Sequence, residues 1–286
     1  MHNRSLNFTP PPRQVPLSLR VINLCNGITQ IGWLVFGFGM IFFWVFAGNA
    51  DFSFITFRGA LERASGRVVE SKSTGASEND QSVQATHYEF SVAGQPYEGT
   101  SYSLGSGASQ GEEVTVEYDP DDPSRSRIEG MRRNMFGAWA AIVSIFPAIG
   151  LGLVVPFVIS GIKRNRLLRE GILTTGVLIH KTRTNITINN RPVWELTFEF
   201  TDRLGQRHEA KARSTDTSRL EDDSSEPLLY DPNDPSRAYV LDEAPARPQF
   251  GLNGEMLGRG GGALARLILP AIVIGANVMV LLTKLR

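Results

Sequence analysis

The sequence predicts a membrane protein of mixed α and β structure, in which three transmembrane helices alternate with two small antiparallel all-β modules, each a barrel or a sandwich. Three observations support this fold class. Long apolar stretches occur at three places in the chain, and the segments between them have the two-residue periodicity of half-buried strands. A short phrase rich in Asp-Pro also occurs twice.

The three apolar stretches are long enough to cross a bilayer. Residues 21–50 and 136–162 contain no charged residue, and residues 263–283 contain only Arg266, whose charged end can reach the membrane surface. A bilayer core of about 30 Å needs about 20 helical residues, and soluble core helices rarely run so far without a charge. The first stretch begins too late and is too long for a cleaved signal peptide. We therefore predict three spans, preceded by an irregular, Pro-rich tail at residues 1–20.

Residues 58–130 and 166–243 are predicted to form the two β-modules. Apolar side chains alternate with polar ones in "THYEFSV" and "EEVTVEY" of the first segment and in "VWELTFEFTD" of the second. The segments also align as copies. Gly66 in "SGRVVESK" matches Gly176 in "TGVLIHKT", and "YEFSVAGQ" matches "FEFTDRLGQ", whose turn is three residues longer. The basic stretches "FRGALERASG" and "KRNRLLREGILTTG" are predicted to continue the spans as helices.

The repeated phrase is "VEYDPDDPSRSRI" at residues 116–128 and "LLYDPNDPSRAYV" at residues 228–240. An Asp before a Pro is typical of a turn, because its side chain accepts hydrogen bonds from nearby amides while Pro fixes φ. A calcium site is the alternative, but it needs six to eight oxygens and a glycine to wrap the ion. Here prolines separate the acids, and the second copy has one acid fewer. We predict structural turns, with both tyrosines packed inward; the motif residues are Tyr118, Asp119, Pro120, Pro123, Tyr230, Asp231, Pro232 and Pro235.

With these features the chain resembles a bacterial family of membrane proteins, domain of unknown function 3592. The resemblance rests on the basic linker, the Gly-apolar strand, the central hairpin and the terminal Y-D-P-x-x-P, and it covers residues 58–130 and 163–241 with the adjoining spans. It implies a small β-module held at a membrane, with no known activity. The first copy departs from the family pattern at "VAGQPYEG", which lacks the hairpin Asp and predicts a tighter turn.

The sequence predicts no catalytic residue, no cofactor and no metal site. The four histidines, His2, His87, His180 and His208, form no H-x-x-x-H or H-E-x-x-H pattern, and the single cysteine, Cys25, adds no further ligand. Ser71 and Lys72 are neighbours on a predicted strand and point to opposite faces, so they cannot form a catalytic dyad. The Gly-rich stretches at residues 105–111 and 258–262 are not phosphate-binding loops. The net charge of zero does not favour a nucleic-acid partner.

The predicted spans contain few polar residues. A transport pathway is an alternative. It would use the polar residues Gln30 and Asn277 and helix breaks at Pro147 and Pro156. Small residues spaced four apart permit close helix contact between the second and third spans. These residues are Ala148, Gly152, Ala271 and Gly275.

Three crossings place the two modules on opposite sides of the membrane. A cytoplasmic N-terminus puts Arg4, Arg13, Arg20, Arg259 and the basic run at residues 163–169 inside, as the positive-inside rule favours. Residues 51–133, with 8 basic and 14 acidic residues, then lie outside, although Arg132 and Arg133 oppose this orientation. A re-entrant second stretch that returns at Pro147 or Pro156 would instead leave both modules on one side.

We therefore expect a non-catalytic, multi-pass protein of the plasma (bacterial inner) membrane. Its role is predicted to be an envelope scaffold, an accessory subunit or a binding module, with the lipid bilayer and envelope proteins as partners. The alternative is a small transport or sensing component whose spans form the pathway, and a more distant alternative is a membrane-tethered hydrolase.

Overall fold

The fold, described by a computed structural model for residues 9–243, 248–251, 253–258 and 262–285, combines α-helices with antiparallel β-sheets. Three helical segments are long and apolar enough to cross a membrane: Gly27–Asn49, Ala138–Glu170 and Gly262–Lys284. The mixed α and β class predicted from the sequence is thus confirmed. The chain divides into two compact units, one of Gly37–Ala148 and one that combines the residues before and after it.

The elements follow one another in two similar series. The first series consists of α1 (Leu17–Leu24), α2 (Gly27–Val45), a 3-10 helix (Ala47–Asn49), α3 (Ser53–Thr56), β1 (Glu62–Glu78), β2 (Gln81–Val92), β3 (Gln95–Leu104), β4 (Glu113–Asp119) and β5 (Asp122–Ile128). The second consists of a 3-10 helix (Ala138–Ser144), α4 (Ile145–Glu170), β6 (Ile172–Ile188), β7 (Arg191–Thr201), β8 (Arg207–Ser214), β9 (Glu226–Asp231), β10 (Asp234–Val240) and a 3-10 helix (Leu241–Glu243). The short strands β11 (Gln249–Phe250) and β12 (Met256–Leu257) and the helices α5 (Gly262–Ala265) and α6 (Ile268–Lys284) complete the described chain.

Strands β1–β5 form the first β-module, a five-stranded antiparallel sheet in the order β3-β2-β1-β4-β5. The sheet curls until its two edge strands meet, since the Ile128 amide of β5 donates a 2.8 Å hydrogen bond to Ser101 Oγ of β3. Tyr102 and Arg132 then exchange backbone hydrogen bonds of 2.8 and 2.9 Å. The sheet therefore nearly closes into a small barrel around a core of buried side chains: Tyr88, Phe90, Val116, Tyr118 and Ile128.

Strands β6–β10 form the second β-module, whose order, read from the other edge, is the same: β8-β7-β6-β9-β10. The registers also agree. Gly66 lies opposite Phe90 in the first module, and Gly176 lies opposite Phe200 in the second. Its core is built from the same positions and is larger: Ile172, Leu196, Phe198, Phe200, Ala210, Ala212, Leu220, Leu228, Tyr230 and Val240.

The hairpin turns help to explain why the two β-modules have the same strand register. β1 and β2 are joined by Asn79 and Asp80, and β6 and β7 by Asn189 and Asn190. All four residues have positive φ, between 49° and 61°, and Asn and Asp tolerate this backbone region better than other side chains do. The next turn has two residues, 93–94, in the first module and five, 202–206, in the second, in agreement with the three-residue difference predicted from the sequence.

The first apolar stretch is not one helix, which corrects the prediction of a single span over residues 21–50. The helix breaks at Cys25 and Asn26, and a new helix begins at Gly27 because Asn26 Oδ1 caps the amide of Thr29 at 3.0 Å. Residues 17–24 belong to α1, whose Leu19 is fully buried in a cluster with Leu168 of α4. The candidate span is therefore Gly27–Asn49.

Two further expectations need correction. The basic stretch before β1 does not continue the first span as a helix, since residues 57–61 are irregular after the single turn of α3. The helix α4 runs without reversal through Pro156 to Glu170, so the re-entrant arrangement of the second apolar stretch is wrong. In contrast, the basic stretch before β6 is helical up to Glu170, as predicted.

The tail is more ordered than a Pro-rich lead-in suggests, over the part that the structure describes. The buried guanidinium of Arg13 donates to the carbonyl oxygens of Leu168, at 3.4 Å, and Gly171, at 2.7 Å, beside the C-terminus of α4. Helix C-termini leave carbonyl groups without intrahelical partners. The tail therefore caps the helix that leads into the second β-module.

Candidate functional site

The residue types of catalytic and metal sites are dispersed over the described part of the chain, where no group of three His, Cys, Asp or Glu side chains could hold a metal ion. His87 Nδ1 lies 2.8 Å from Thr100 Oγ1, and His208 Nε2 lies 2.9 Å from Asp202 Oδ2. His180 is exposed on β6, and His2 lies outside the described residues.

Ser71 and Lys72 have separate partners, as expected for neighbours on a strand. Ser71 Oγ lies 3.2 Å from Thr86 Oγ1, whereas Lys72 Nζ forms an ion pair with Glu70 at 2.7 Å. The two side chains do not meet.

The repeated Asp-Pro phrases form the two-residue turns that end β4 and β9. Asp119 Oδ1 accepts a 3.1 Å hydrogen bond from the Asp121 amide, and Asp231 Oδ1 accepts one of 3.0 Å from the Asn233 amide. The turn residues between the paired strands are Pro120 with Asp121 and Pro232 with Asn233.

The acid of the second Asp-Pro pair in each phrase is also engaged locally. Asp122 Oδ1 accepts from Ser124 Oγ at 2.6 Å, and Asp234 Oδ1 accepts from Ser236 Oγ at 2.5 Å. Pro123 and Pro235 lie at the second residue of the edge strands β5 and β10, where a missing amide is tolerated. These acids cap turns and do not converge on one point.

The tyrosines of the phrases lie in the module cores. Tyr118 donates a 2.6 Å hydrogen bond to Glu62 Oε2, and the hydroxyl oxygen of Tyr230 accepts one of 3.0 Å from the Arg203 amide. The strand glycines allow close packing. A Cβ on Gly66 would lie 2.7 Å from Val116, and one on Gly176 would lie 2.6 Å from Leu228, so a larger residue would clash at either position. The motif residues thus occupy equivalent structural positions in the two modules.

The small residues predicted to bring the second and third spans together do not do so. Ala148, Gly152, Ala271 and Gly275 are all exposed, and a Cβ added at either glycine would have no described atom within 4 Å. The close approach is instead between the first two spans. A Cβ on Gly150 would lie 2.4 Å from the Phe36 amide nitrogen.

The tip of the β1–β2 hairpin is anchored to the start of the second span through Glu78, whose side chain is 2% exposed. Its carboxylate accepts hydrogen bonds from Arg132 Nη1 at 2.8 Å, Trp139 Nε1 at 2.8 Å and the Gly137 amide at 3.1 Å. Burial alone would raise the pKa of Glu78, but these hydrogen bonds outweigh it and lower that pKa below its usual range. The ionised carboxylate is therefore the form that the site stabilises.

Beside this anchor, two guanidinium groups lie on the buried ring of Phe57. The Cζ atoms of Arg127 and Arg133 are 5.2 and 5.0 Å from the ring centroid, within the range of a cation–π contact. Arg127 is held by Glu117 at 2.9 Å. Burial lowers the pKa of Arg133, and the nearby charge of Arg125 lowers it further.

These groups border an open cleft of about 560 Å³ between α3, β5 and the start of the second span. Its lining combines arginines with aromatic and apolar side chains: Asp51, Ser53, Phe54, Phe57, Arg127, Met131, Arg132, Gly137, Ala138 and Trp139. We call it the junction cleft, because it lies where the first β-module meets the two apolar helical segments on either side of it in the chain.

Residues 64–133, which include β2–β5 and all but the first two residues of β1, match the model of one protein family, described as a domain of unknown function (DUF3592). The match covers 70 of the 286 residues of the chain. The resemblance predicted from the sequence is thereby confirmed for the first β-module. No curated protein matches the chain.

The second β-module contains a buried acid where the first β-module has an apolar residue. Gly66 of the first β-module lies opposite Val114, and Gly176 of the second lies opposite Glu226. Glu226 is 1% exposed, and the Asp242 carboxyl and the Asp223 backbone amide are its polar neighbours. Burial and then the nearby charges of Asp242 and Asp222 raise the pKa of Glu226 to about 8.

Sequence reasoning missed the junction cleft and Glu226. The signal for the cleft was available in part, because Arg132 and Arg133 precede a predicted span and Trp139 lies near its start. The contact of Arg132 and Trp139 with Glu78 depends on the curl of a long hairpin, which no local sequence pattern encodes. The sequence did not indicate that Glu226 is buried, because the acidic run at residues 221–226 is typical of a solvated loop.

Proposed function

We propose that the chain is a non-catalytic integral membrane protein of the bacterial inner membrane, which presents two duplicated β-modules as an envelope scaffold, an accessory subunit or a binding module. The observation that carries this proposal is the outward exposure of apolar side chains along the three long helices. Ile31 is 59% exposed, Ile142 is 69% exposed and Met279 is 69% exposed.

Such exposure favours a lipid environment. Burying one aliphatic side chain stabilises by about 1.5–3 kcal/mol, and each of the three helical segments has many such side chains on its outer surface. Exposed apolar patches of this size are typical of surfaces that lie in a membrane or in an interface.

A duplication is supported by the common architecture of the modules. They have the same strand order, the same glycine position and the same Asp-Pro turn. A presenting role is supported by the local use of their polar groups, because the acids of the turns act as caps and His208 pairs with the turn residue Asp202.

The polar residues of the spans support a structural role over a transport pathway. Thr29 Oγ1 donates to the Asn26 carbonyl at 2.8 Å, and Gln30 Nε2 donates to the Arg266 carbonyl at 2.9 Å. Asn277 Nδ2 donates to the Val273 carbonyl within its own helix at 2.8 Å. A translocation pathway usually has ionisable or polar groups that face an aqueous cavity.

For orientation, we propose a cytoplasmic N-terminus, an extracytoplasmic first β-module and a cytoplasmic second β-module. The basic run at residues 163–169 at the end of α4 supports this arrangement under the positive-inside rule, as does the acidic excess of residues 51–133.

Paired topology reporters test the proposal. A phosphatase and a fluorescent protein are fused in turn after Gly130 and after Asp242 in the full chain, and membranes are washed with alkaline carbonate. We expect the chain to stay in the membrane pellet, phosphatase activity at the first site and fluorescence at the second. Signals from the same side at both sites would contradict three crossings, and release by carbonate would contradict membrane insertion.

A further inference from the structure

The junction cleft lies at the boundary between the first β-module and the apolar segments. Asp51 follows the segment Gly27–Asn49 by two residues, and Trp139 lies in the first turn of the segment Ala138–Glu170. Insertion of these segments places the cleft at the level of the lipid headgroups, where Trp and Arg side chains are favoured.

The cleft presents spare hydrogen-bond donors. A guanidinium has five N–H groups, and over the described chain the one side-chain hydrogen bond of Arg132 goes to Glu78. Arg127 uses its donors on Glu117 and, at 3.3 Å, on Ser53 Oγ. Glu78 holds Arg132 and Glu117 holds Arg127, so the remaining N–H groups of both arginines stay beside the cleft.

The acid that lines the cleft is already satisfied. Asp51 Oδ1 accepts a 2.7 Å hydrogen bond from the Ser53 amide, and Asp51 Oδ2 accepts one of 3.1 Å from the Arg133 amide. Its negative charge is thus engaged by the backbone, and the arginines remain the groups available to an incoming ligand.

The outer wall of the cleft is apolar and exposed. Phe54 is 55% exposed and Trp139 is 58% exposed. Trp139 cannot turn inward, because its indole N–H is fixed on Glu78. A ligand that suits both walls must have an acceptor with several oxygens at one end and an apolar chain at the other, which is the chemistry of a phospholipid.

We propose that the junction cleft binds a glycerophospholipid of the bilayer, with its phosphate on Arg132 and Arg127 and an acyl chain along Phe54 and Trp139. The inference rests on the proposed membrane insertion of the chain. Arginine suits the phosphate because its planar fork gives two parallel N–H groups, which a lysine cannot present.

The test measures lipid binding to the full chain purified in mild detergent, by native mass spectrometry with added phosphatidylglycerol or with diacylglycerol, which lacks the phosphate. We expect the wild type to prefer phosphatidylglycerol by about tenfold, the factor that a hydrogen bond to a charged group contributes. Arg132→Lys keeps the charge beside Glu78 but loses the fork, so it is expected to remove most of this preference. Phe54→Ser, at a position that is 55% exposed, is expected to weaken binding of both lipids.

The matched control is Arg67→Gln, which removes a charge from an exposed position of the same β-module outside the cleft. Wild-type binding by Arg132→Lys and Phe54→Ser, or equal loss in Arg67→Gln, would overturn the assignment. Displacement of the lipid by inorganic phosphate at equal concentration would also overturn it. Carbonate extraction of the membranes from which the chain is purified separates the two proposals: a chain that stays in the membrane pellet yet shows no phosphate preference contradicts only the lipid site.

Discussion

Arg132 donates a 2.8 Å hydrogen bond from Nη1 to the buried Oε2 of Glu78, and this contact joins two parts of the chain that are 54 residues apart. Glu78 lies at the tip of the β1–β2 hairpin, and Arg132 follows β5 on the way to the second span. The pair therefore fixes the long hairpin of the first β-module to the segment that leads out of that module.

Removing the acid of this pair should destabilise the first β-module. Glu78→Ala leaves Arg132 and the indole N–H of Trp139 without their acceptor, and breaking a buried ion pair in this way costs about 3–5 kcal/mol. Thermal unfolding of the purified chain, followed with hydrogen exchange of the β1 and β2 amides, measures the effect. Glu70→Gln, which breaks the exposed pair with Lys72 on the same strand, is the control and should change stability by less than about 1 kcal/mol.

The same contact predicts a pH dependence. Because the pKa of Glu78 is lower in the folded chain, its stabilisation is complete above the unfolded pKa of about 4.3. It is lost as the pH falls through the lower folded pKa. Exchange of β1 amides should therefore accelerate below about pH 4 in the wild type. A Glu78→Gln variant that shows the same acid sensitivity would contradict this account.

Glu226 predicts the opposite behaviour in the second β-module. Its pKa is raised to about 8, so the folded carboxyl keeps a proton that the unfolded chain releases near pH 4.3. Stability is therefore highest at acidic pH, and it falls by up to about 1.4 kcal/mol per pH unit as the pH rises toward 8. Unfolding of the second module at a series of pH values from 5 to about 9 measures this slope.

Substitutions test whether Glu226 is the source of this pH dependence. Glu226→Val, which installs the residue of the equivalent position Val114, should flatten the pH dependence and stabilise the module at alkaline pH. Glu209→Gln, at an exposed position on β8, should leave the slope unchanged. A slope that survives in Glu226→Val would mean that another group titrates.

The Asp-Pro turns are expected to act on stability alone. Pro120→Ala or Pro232→Ala should lower the free energy of unfolding by about 0.4–1 kcal/mol, because the unfolded chain gains freedom at those positions. Asp121→Ala, whose side chain is exposed, should be neutral, and thermal unfolding with and without calcium should coincide for Asp121→Ala, Asp234→Ala and the wild type. A calcium-dependent increase in unfolding temperature that these substitutions abolish would support a calcium site instead.

The glycines of the second span offer a matched pair. A Cβ on Gly150 would meet the backbone of Phe36 at 2.4 Å, whereas one on Gly152 would meet no described atom within 4 Å. Gly150→Ala should therefore destabilise the contact of α2 with α4 by about 1–3 kcal/mol, as overpacking does. Gly152→Ala should be tolerated. Thermal stability of the two variants in detergent compares them directly, and equal behaviour would contradict the assigned helix contact.

Much of the fold was predictable because its signals are local. The alternation at Tyr88 and Phe90 predicted one face of a strand, and those side chains lie in the core of the first β-module. The length difference between the turns at residues 93–94 and 202–206 was also readable from aligned segments. The break at Asn26 was missed although its signal is present, since an Asn before a helical run is a frequent N-cap.

Other features depend on contacts between distant residues. No pattern around Gly152 distinguishes it from Gly150, because both lie between large aliphatic residues in one uncharged stretch, and only the crossing of two helices decides which of them is buried. Likewise, a Glu at the end of an acidic run gives no indication that Glu226 faces the core, since strand register depends on the partner strand.

The sequence by itself determined the apolar helical segments, the half-buried strands between them and the Asp-Pro turns, because hydrophobic period and turn chemistry act over a few residues. The tertiary structure alone decided that Glu78 meets Arg132 and Trp139, that Glu226 is enclosed, and that the junction cleft forms beside Phe57. The physical reason is that these contacts depend on how far a strongly curled sheet brings distant segments together, and that curl is a property of all five strands at once.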